Sequence, residues 1–156
     1  MTKGVGVLLD HGEIKVKFYD AVDDSLYKFA VIIARMDGKW IFCKHKERDT
    51  YEVPGGHREP GEAIDATARR ELYEETGAVE FDIVPVCAYS VTARDNFDGQ
   101  ETFGKLYCAD VRRVEGELHS EIERIIVTPE LPENWTYPLI QPKLLEEAQR
   151  RGVLAL

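Results

Sequence analysis

The sequence predicts an α/β or α+β sandwich in which mixed strands pack with one central and one terminal helix. Two observations carry that expectation. Short apolar runs with the period of strands recur along the chain, and two stretches, one central and one near the end, carry helical spacing between punctuating Gly and Pro residues. The chain has 156 residues and 44% hydrophobic content. That length and content suit one domain over 1–156 with an ordinary core.

Glu13 to Tyr19 alternates Ile14, Val16 and Phe18 against Lys15, Lys17 and Tyr19, the pattern of a half-exposed strand. Leu26 to Ala34 is nearly continuously apolar with β-branched Val31, Ile32 and Ile33, so it reads as a central strand. Asp37-Gly38 is a hairpin turn, and Lys39 to Lys44 returns the chain. Tyr51 to Pro54 reads as a short strand that Pro54 stops. Gly55-Gly56 gives a backbone able to take positive φ and approach a ligand closely. A helix follows over Glu62 to Thr76. Pro60 and Gly61 mark its start, Ile64, Ala68 and Leu72 form its apolar stripe, and Gly77 caps its end.

Phe81 to Thr92 and Lys105 to Val111 read as strands joined by a polar loop from Ala93 to Gly104, either a lid or a plain hairpin connection. Glu115-Gly116-Glu117 is a turn and Arg124 to Val127 a short strand. The prolines between Thr128 and Pro142 predict irregular backbone, and Pro142 suits the first turn of a last helix ending near Arg151. Cys43, Cys87 and Cys108 are odd in number and lie in apolar stretches, which fits buried thiols in a reducing compartment. The first nine residues are too short an apolar run for a signal peptide or a span, so a cytoplasmic protein is expected. A formal charge of -9 argues against nucleic-acid polymers and anionic membranes, which need a basic face. The oligomeric state stays open.

The chemistry concentrates in Gly56 to Ala78. Glu71, Glu74 and Glu75 stand at i, i+3 and i+4, sharing an arc of roughly 100° on a helix. Like charges at that spacing repel by about 0.2–0.5 kcal/mol per pair, and the nearby helix C-terminus adds to the penalty. A hard divalent cation such as Mg²⁺ or Mn²⁺, bound by one or two carboxylates, water and substrate phosphates, would relieve it. Lys44 to Asp49 is either a solvated loop or, with Lys44, Lys46 and Arg48, a mouth that meets polyphosphate.

The spacing of Gly56, Glu62, Arg70-Glu71-Leu72, Glu74-Glu75 and Gly77-Ala78 resembles the Nudix box, GX5EX7REUXEEXGU, at every fixed position. Only Ala78 is smaller than the family's usual Ile, Leu or Val. Val53-Pro54-Gly55 and Glu130-Leu131-Pro132 are also similar to Nudix sequence. The resemblance implies an α/β/α sandwich with a mixed sheet and a Mg²⁺-dependent pyrophosphohydrolase of the MutT-like kind. It would cleave a nucleoside triphosphate, 8-oxo-dGTP among the oxidised ones, to monophosphate and pyrophosphate.

The same resemblance makes Glu74 and Glu75 metal ligands and Glu71 a ligand or the general base. Arg70 then orients a glutamate, and Glu62 is either part of the set or a helix-terminus stabiliser. A further acid from a later loop is expected, with Glu121 preferred over Glu117 and Glu123. Gly55, Gly56 and Arg48 would meet the substrate. Trp40, Tyr89, Phe97, Phe103 and Tyr107 are candidates for the base pocket or for core. His45, His57 and His119 lack zinc spacing.

ADP-ribose and dinucleoside polyphosphates are the alternative substrates. Branches specific for them carry a Pro or Tyr marker that Thr92 to Asn96 lacks. A non-catalytic nucleotide sensor would have lost a box glutamate, and all four are present.

Overall fold

Leu26 to Ala34 is apolar on both sides because both sides are covered. In the computed structural model, which describes residues 14–93, 99–115 and 122–153, this run forms β2 (Tyr27–Met36) after a 3-10 turn at Asp24–Leu26. Ala30, Ile32 and Ala34 face one hydrophobic cluster, and Val31 and Ile33 face the other. Such double burial is what a central strand of a three-layer sandwich requires.

The remaining strands are β1 (Ile14–Tyr19), β3 (Lys39–His45), β4 (Gly55–His57), β5 (Ala78–Ala93), β6 (Thr102–Val114) and β7 (Ile122–Thr128). They form a sheet of order β1-β5-β6-β2-β3-β7, with β4 added onto β2. β2 and β6 run parallel, whereas the other pairings are antiparallel, so the sheet is mixed. Helix α1 (Ile64–Thr76) covers one face through Ile64, Ala68 and Leu72. Helix α2 (Gln141–Arg150) covers the other through Leu144, Leu145 and Ala148. This is the expected α/β/α sandwich.

Local chemistry sets the joints. Asp37 and Gly38 both take positive φ, 56° and 76°, as a two-residue hairpin turn between β2 and β3 requires. Pro85 lies inside β5 without breaking it because the ladder shifts register between Pro85 and Cys87, and a bulge spares Pro the bond it cannot donate. Cys43, Cys87 and Cys108 are free and buried. No helix of the described residues is long and apolar enough to cross a membrane.

The structure corrects three expectations around the glycine pair. Tyr51 to Pro54 is not a strand, since Tyr51 and Glu52 make only isolated bridges to Trp135 and Cys43. The strand begins one residue after Pro54, at Gly55, where it pairs with Ala30 and Val31 of β2. Neither Gly55 nor Gly56 has positive φ; glycine is needed there for closeness instead. A Cβ on Gly55 would stand 2.6 Å from the Ala30 carbonyl oxygen. Helix α1 starts at Ile64 rather than Glu62, with Ala63 as the flanking residue.

Gly55→Ala should therefore lower stability by about 1–3 kcal/mol, the usual cost of forcing a methyl into packed backbone. Denaturant melts of the two proteins check it, and equal midpoints would show that β4 does not sit this tightly on β2.

Candidate active site

Glu71, Glu74 and Glu75 lie along one side of α1 because the helix carries two adjoining ridges. Ile64, Ala68 and Leu72 point into the sheet, and the neighbouring ridge of Thr67, Glu71 and Glu75 is also buried. That second ridge runs beneath β4. The Gly55 backbone N–H donates to Glu75 Oε1 at 3.0 Å. A Cβ on Gly56 would stand 2.2 Å from Glu71 Oε2, so the Glu71 carboxylate fills the space that any side chain would take. Glu74, on the outer side of the same arc, is about 40% exposed. Gly77 ends the helix in the left-handed region at φ 79°, its N–H donating to the Tyr73 carbonyl at 2.8 Å.

Arg70 is the positive charge within this cluster. Its Nε and Nη2 grip Glu62 at 2.7 and 2.9 Å, and Nη1 reaches Glu71 at 3.0 Å and Glu74 at 3.3 Å. Nη2 also donates to the His57 carbonyl at 3.0 Å, tying the helix to the end of β4. Glu62 lies outside the helix and serves the loop instead. It accepts from the Glu59 N–H at 3.0 Å and from the Thr67 hydroxyl at 2.7 Å. The Arg70 guanidinium and these donors hold its carboxyl down at about 2.

The deeper acids are less fully compensated. Burial pushes the Glu75 carboxyl up to about 8, against the Gly55 N–H and with the help of Glu71, Glu52 and Glu74. Burial also raises Glu71, which Arg70 opposes. Among the described residues, no three His, Cys, Asp or Glu side chains already stand as a closed metal site. The chemistry still fits a hard divalent ion. Three carboxyl groups share one arc, two of them buried and raised in proton affinity by that burial, and oxygen donors are what Mg²⁺ and Mn²⁺ take.

A cavity of about 370 Å³ opens beside Glu75, Gly55 and Gly56, walled by Phe29, Tyr89 and Leu144. The sequence did not single out three of its residues. Glu52 is buried and accepts from Arg48 at 3.1 Å while pairing with His45 at 3.0 Å. Tyr137 lies under the Arg48 guanidinium at 6.0 Å. Gln141 accepts from the Val53 N–H at 2.9 Å. Glu52 could have been read from its place just before Val53-Pro54-Gly55, but nothing local marks Tyr137 or Gln141.

Other expected residues fall elsewhere. Lys44 pairs with Glu123. Trp40 packs in the α2-side core and Tyr107 in the α1-side core, where its hydroxyl donates to Asp65. Phe103 packs against Tyr19 at 5.7 Å and lines a more open trough. Of the expected aromatics, Tyr89 lines the 370 Å³ cavity. Glu121, Glu117, Phe97 and His119 lie outside the described residues, as do residues 94–98 of the expected lid or connection.

A mixed-sheet sandwich that buries an acidic helix ridge under a glycine strand, next to a ligand-sized cavity, is the architecture that the Nudix resemblance implies. The NUDIX domain family model matches residues 26–151, and the chain belongs to the Nudix family as a pyrophosphohydrolase. A Bacillus subtilis (strain 168) protein provisionally described as the 8-oxo-dGTP diphosphatase YtkD is 31% identical over 122 residues, 78% of this chain and 74% of that one. The crystal structure of the Bacillus subtilis pyrophosphohydrolase BsRppH superposes with a TM-score of 0.75 at 26% identity, covering 92% of this chain and 94% of that one. A Nudix hydrolase from Nitrosomonas europaea shares the fold, with a TM-score of 0.63 at 20% identity over 83% of this chain and 97% of that one. Nudix hydrolases generally act with divalent metal ions on small nucleotide substrates.

The raised Glu75 carboxyl sets a pH dependence for the metal-free protein. Between its ordinary 4.5 and about 8, the native state keeps a proton that the unfolded chain has lost. Stability therefore falls as pH rises through that window. Melting temperatures in chelator should decline across it, and Glu75→Gln should flatten the decline. A flat wild-type profile would mean that Glu75 is not held protonated.

Proposed function

We propose that this chain is a Mg²⁺-dependent nucleoside triphosphate pyrophosphohydrolase acting on oxidised substrates of the 8-oxo-dGTP kind. The observation that carries the reading is the 370 Å³ cavity opening directly onto Glu75 and the glycine strand. That volume is near the lower end of the roughly 300–1,000 Å³ usual for ligand sites. It suits one nucleoside rather than the two of a dinucleoside polyphosphate. The 31% identity to YtkD supports the same substrate class.

Glu71, Glu74 and Glu75 would hold the metal, which when bound neutralises phosphoryl oxygens and favours a hydroxide nucleophile at neutral pH. Arg70 keeps Glu62, Glu71 and Glu74 in place through charge-assisted bonds. Glu71 and Glu75 are the two groups whose raised affinity for a proton fits general-base work, and Glu71 takes that role if it is not a ligand. Gly55 and Gly56 let the phosphate chain pass close to backbone, and Arg48 stands at the cavity wall to meet negative charge. Glu121 remains the proposed loop acid. Binding and hydrolysis of a free nucleotide need no membrane and no nucleic-acid polymer, and a cytoplasmic setting agrees with three free thiols.

Attack within the diphosphate bridge gives monophosphate and pyrophosphate. Hydrolysis of 8-oxo-dGTP in ¹⁸O water should place the label in one of those two products, and nucleoside diphosphate with orthophosphate as main products would refute the reading. Glu74→Gln and Glu75→Gln should each lower kcat by at least about a hundredfold, the scale of losing a group that stabilises transition-state charge, while keeping the fold. Rates near wild type in both would remove them from the metal site.

A further inference from the structure

His57, the last residue of β4, stands where two hollows of the surface meet. The 370 Å³ cavity and the more open trough beside it share three lining residues, Phe29, His57 and Thr102, and of these His57 alone can carry charge. Gly56 turns its missing side chain toward Glu71, so strand alternation sends the His57 side chain to the other face. There its ring stands edge-on to Phe29, with centroids 6.2 Å apart and planes at 86°. The His57 backbone is fixed, because its carbonyl accepts from Arg70 Nη2 at 3.0 Å. The ring is uncommitted: among the described residues its two nitrogens make no hydrogen bond or ion pair.

The other positive groups of the two hollows are mostly spent. In the cavity, His45 and Arg48 both pair with Glu52, and the Arg48 guanidinium lies over Tyr137. In the trough, Arg58 serves the Asp24 carboxylate and the carbonyls of Asp24, Tyr27 and Glu62. The trough's acids are engaged as well. Glu62 is gripped by Arg70 and Asp24 by Arg58, and Glu101 accepts from the Tyr19 and Ser90 hydroxyls at 2.5 and 2.6 Å. Glu59, about 64% exposed, stands 3.8 Å from Arg70. That leaves Lys28, which is exposed and has no ion pair among the described residues. It neighbours His57 across the strands: Phe29 is the register partner of His57, and the Lys28 carbonyl accepts the Arg58 N–H at 2.8 Å. An open imidazole and an open ammonium on adjoining strands suit an anionic oxygen.

We propose that His57, aided by Lys28, binds the terminal phosphate of the nucleoside triphosphate and so makes the enzyme prefer three phosphates to two. The assignment rests on the nucleotide reading above and adds to it the length of the phosphate chain. With the nucleoside in the cavity and the cleaved bridge at Glu71, Glu74 and Glu75, the third phosphate extends past Gly55-Gly56, and the next residue of β4 is His57. A diphosphate ends short of that point and forgoes the contact.

The test compares kcat/KM for 8-oxo-dGTP and 8-oxo-dGDP with Mg²⁺, a pair that differs only in the third phosphate. The wild-type protein should favour the triphosphate. His57→Phe keeps a ring beside Phe29 and removes the donor, so the preference should narrow by about tenfold or more, the weight of a hydrogen bond to a charged group. Lys28→Met should narrow it by about two- to fivefold, the scale of an exposed ion pair. A purely structural loss would lower both rates alike and keep the ratio, and melting temperatures show whether each variant is folded. An unchanged ratio in folded His57→Phe, or a wild-type protein that does not favour the triphosphate, overturns the assignment while leaving the pyrophosphohydrolase reading intact. Should His57→Phe fail to fold, an unchanged ratio in Lys28→Met overturns it instead. A wild-type protein that releases monophosphate from neither nucleotide overturns both.

Discussion

The contact between the Gly56 backbone and the Glu71 carboxylate is the constraint on which the site depends. It exists because β4 has no side chain where α1 passes beneath it, so a charged ridge can be buried at van der Waals distance from a strand. Any Cβ there would collide with the carboxylate and push helix and strand apart. The same closeness brings the Gly55 N–H to Glu75. A glycine pair and an acidic helix face are thus one structural unit, although they are separated in sequence by a loop.

That unit is held from outside by two arginines with different tasks. Arg70 spans Glu62, Glu71, Glu74 and the His57 carbonyl, so one planar group fixes loop, helix and strand end. Arg58 fixes the loop to the turn before β2, donating to the Glu62 carbonyl at 2.7 Å and to the Asp24 carboxylate at 2.9 Å. Buried like charges destabilise a fold unless compensated, and one guanidinium does not balance this many carboxylates. Under the proposed function, these acids are kept at some cost in stability, which a bound cation would return by mass action.

The sandwich turns a helix property into a site. Glu75 belongs to the α1 layer, whereas Gln141, Tyr137 and Leu144 belong to α2 and the segment leading to it, yet all line the same cavity. They meet because β4 is only three residues long and β2, in the middle of the sheet, carries it. The acidic layer and the apolar layer therefore communicate past a short strand. Under the proposed function, the metal-binding acids belong to one layer and much of the cavity's wall to the other.

Much of this was legible in the sequence because it is local. The arc of Glu71, Glu74 and Glu75, the stripe of Ile64, Ala68 and Leu72, the caps at Gly77 and the Asp37-Gly38 turn all follow from helical or turn periodicity, and the box spacing pointed to the family. Tertiary structure alone decided the rest. Gly55 and Gly56 are glycine for a close approach to Ala30 and Glu71 rather than for positive φ, and Glu62 is an arginine partner outside the helix rather than part of its first turn. Lys44 is spent on Glu123, and Trp40 and Tyr107 on the two cores. Glu52, Tyr137 and Gln141 share a cavity across as much as 89 positions of chain. Periodicity specifies which face a residue takes on its own element; which elements face each other is set by packing, and a cavity belongs to neither element alone.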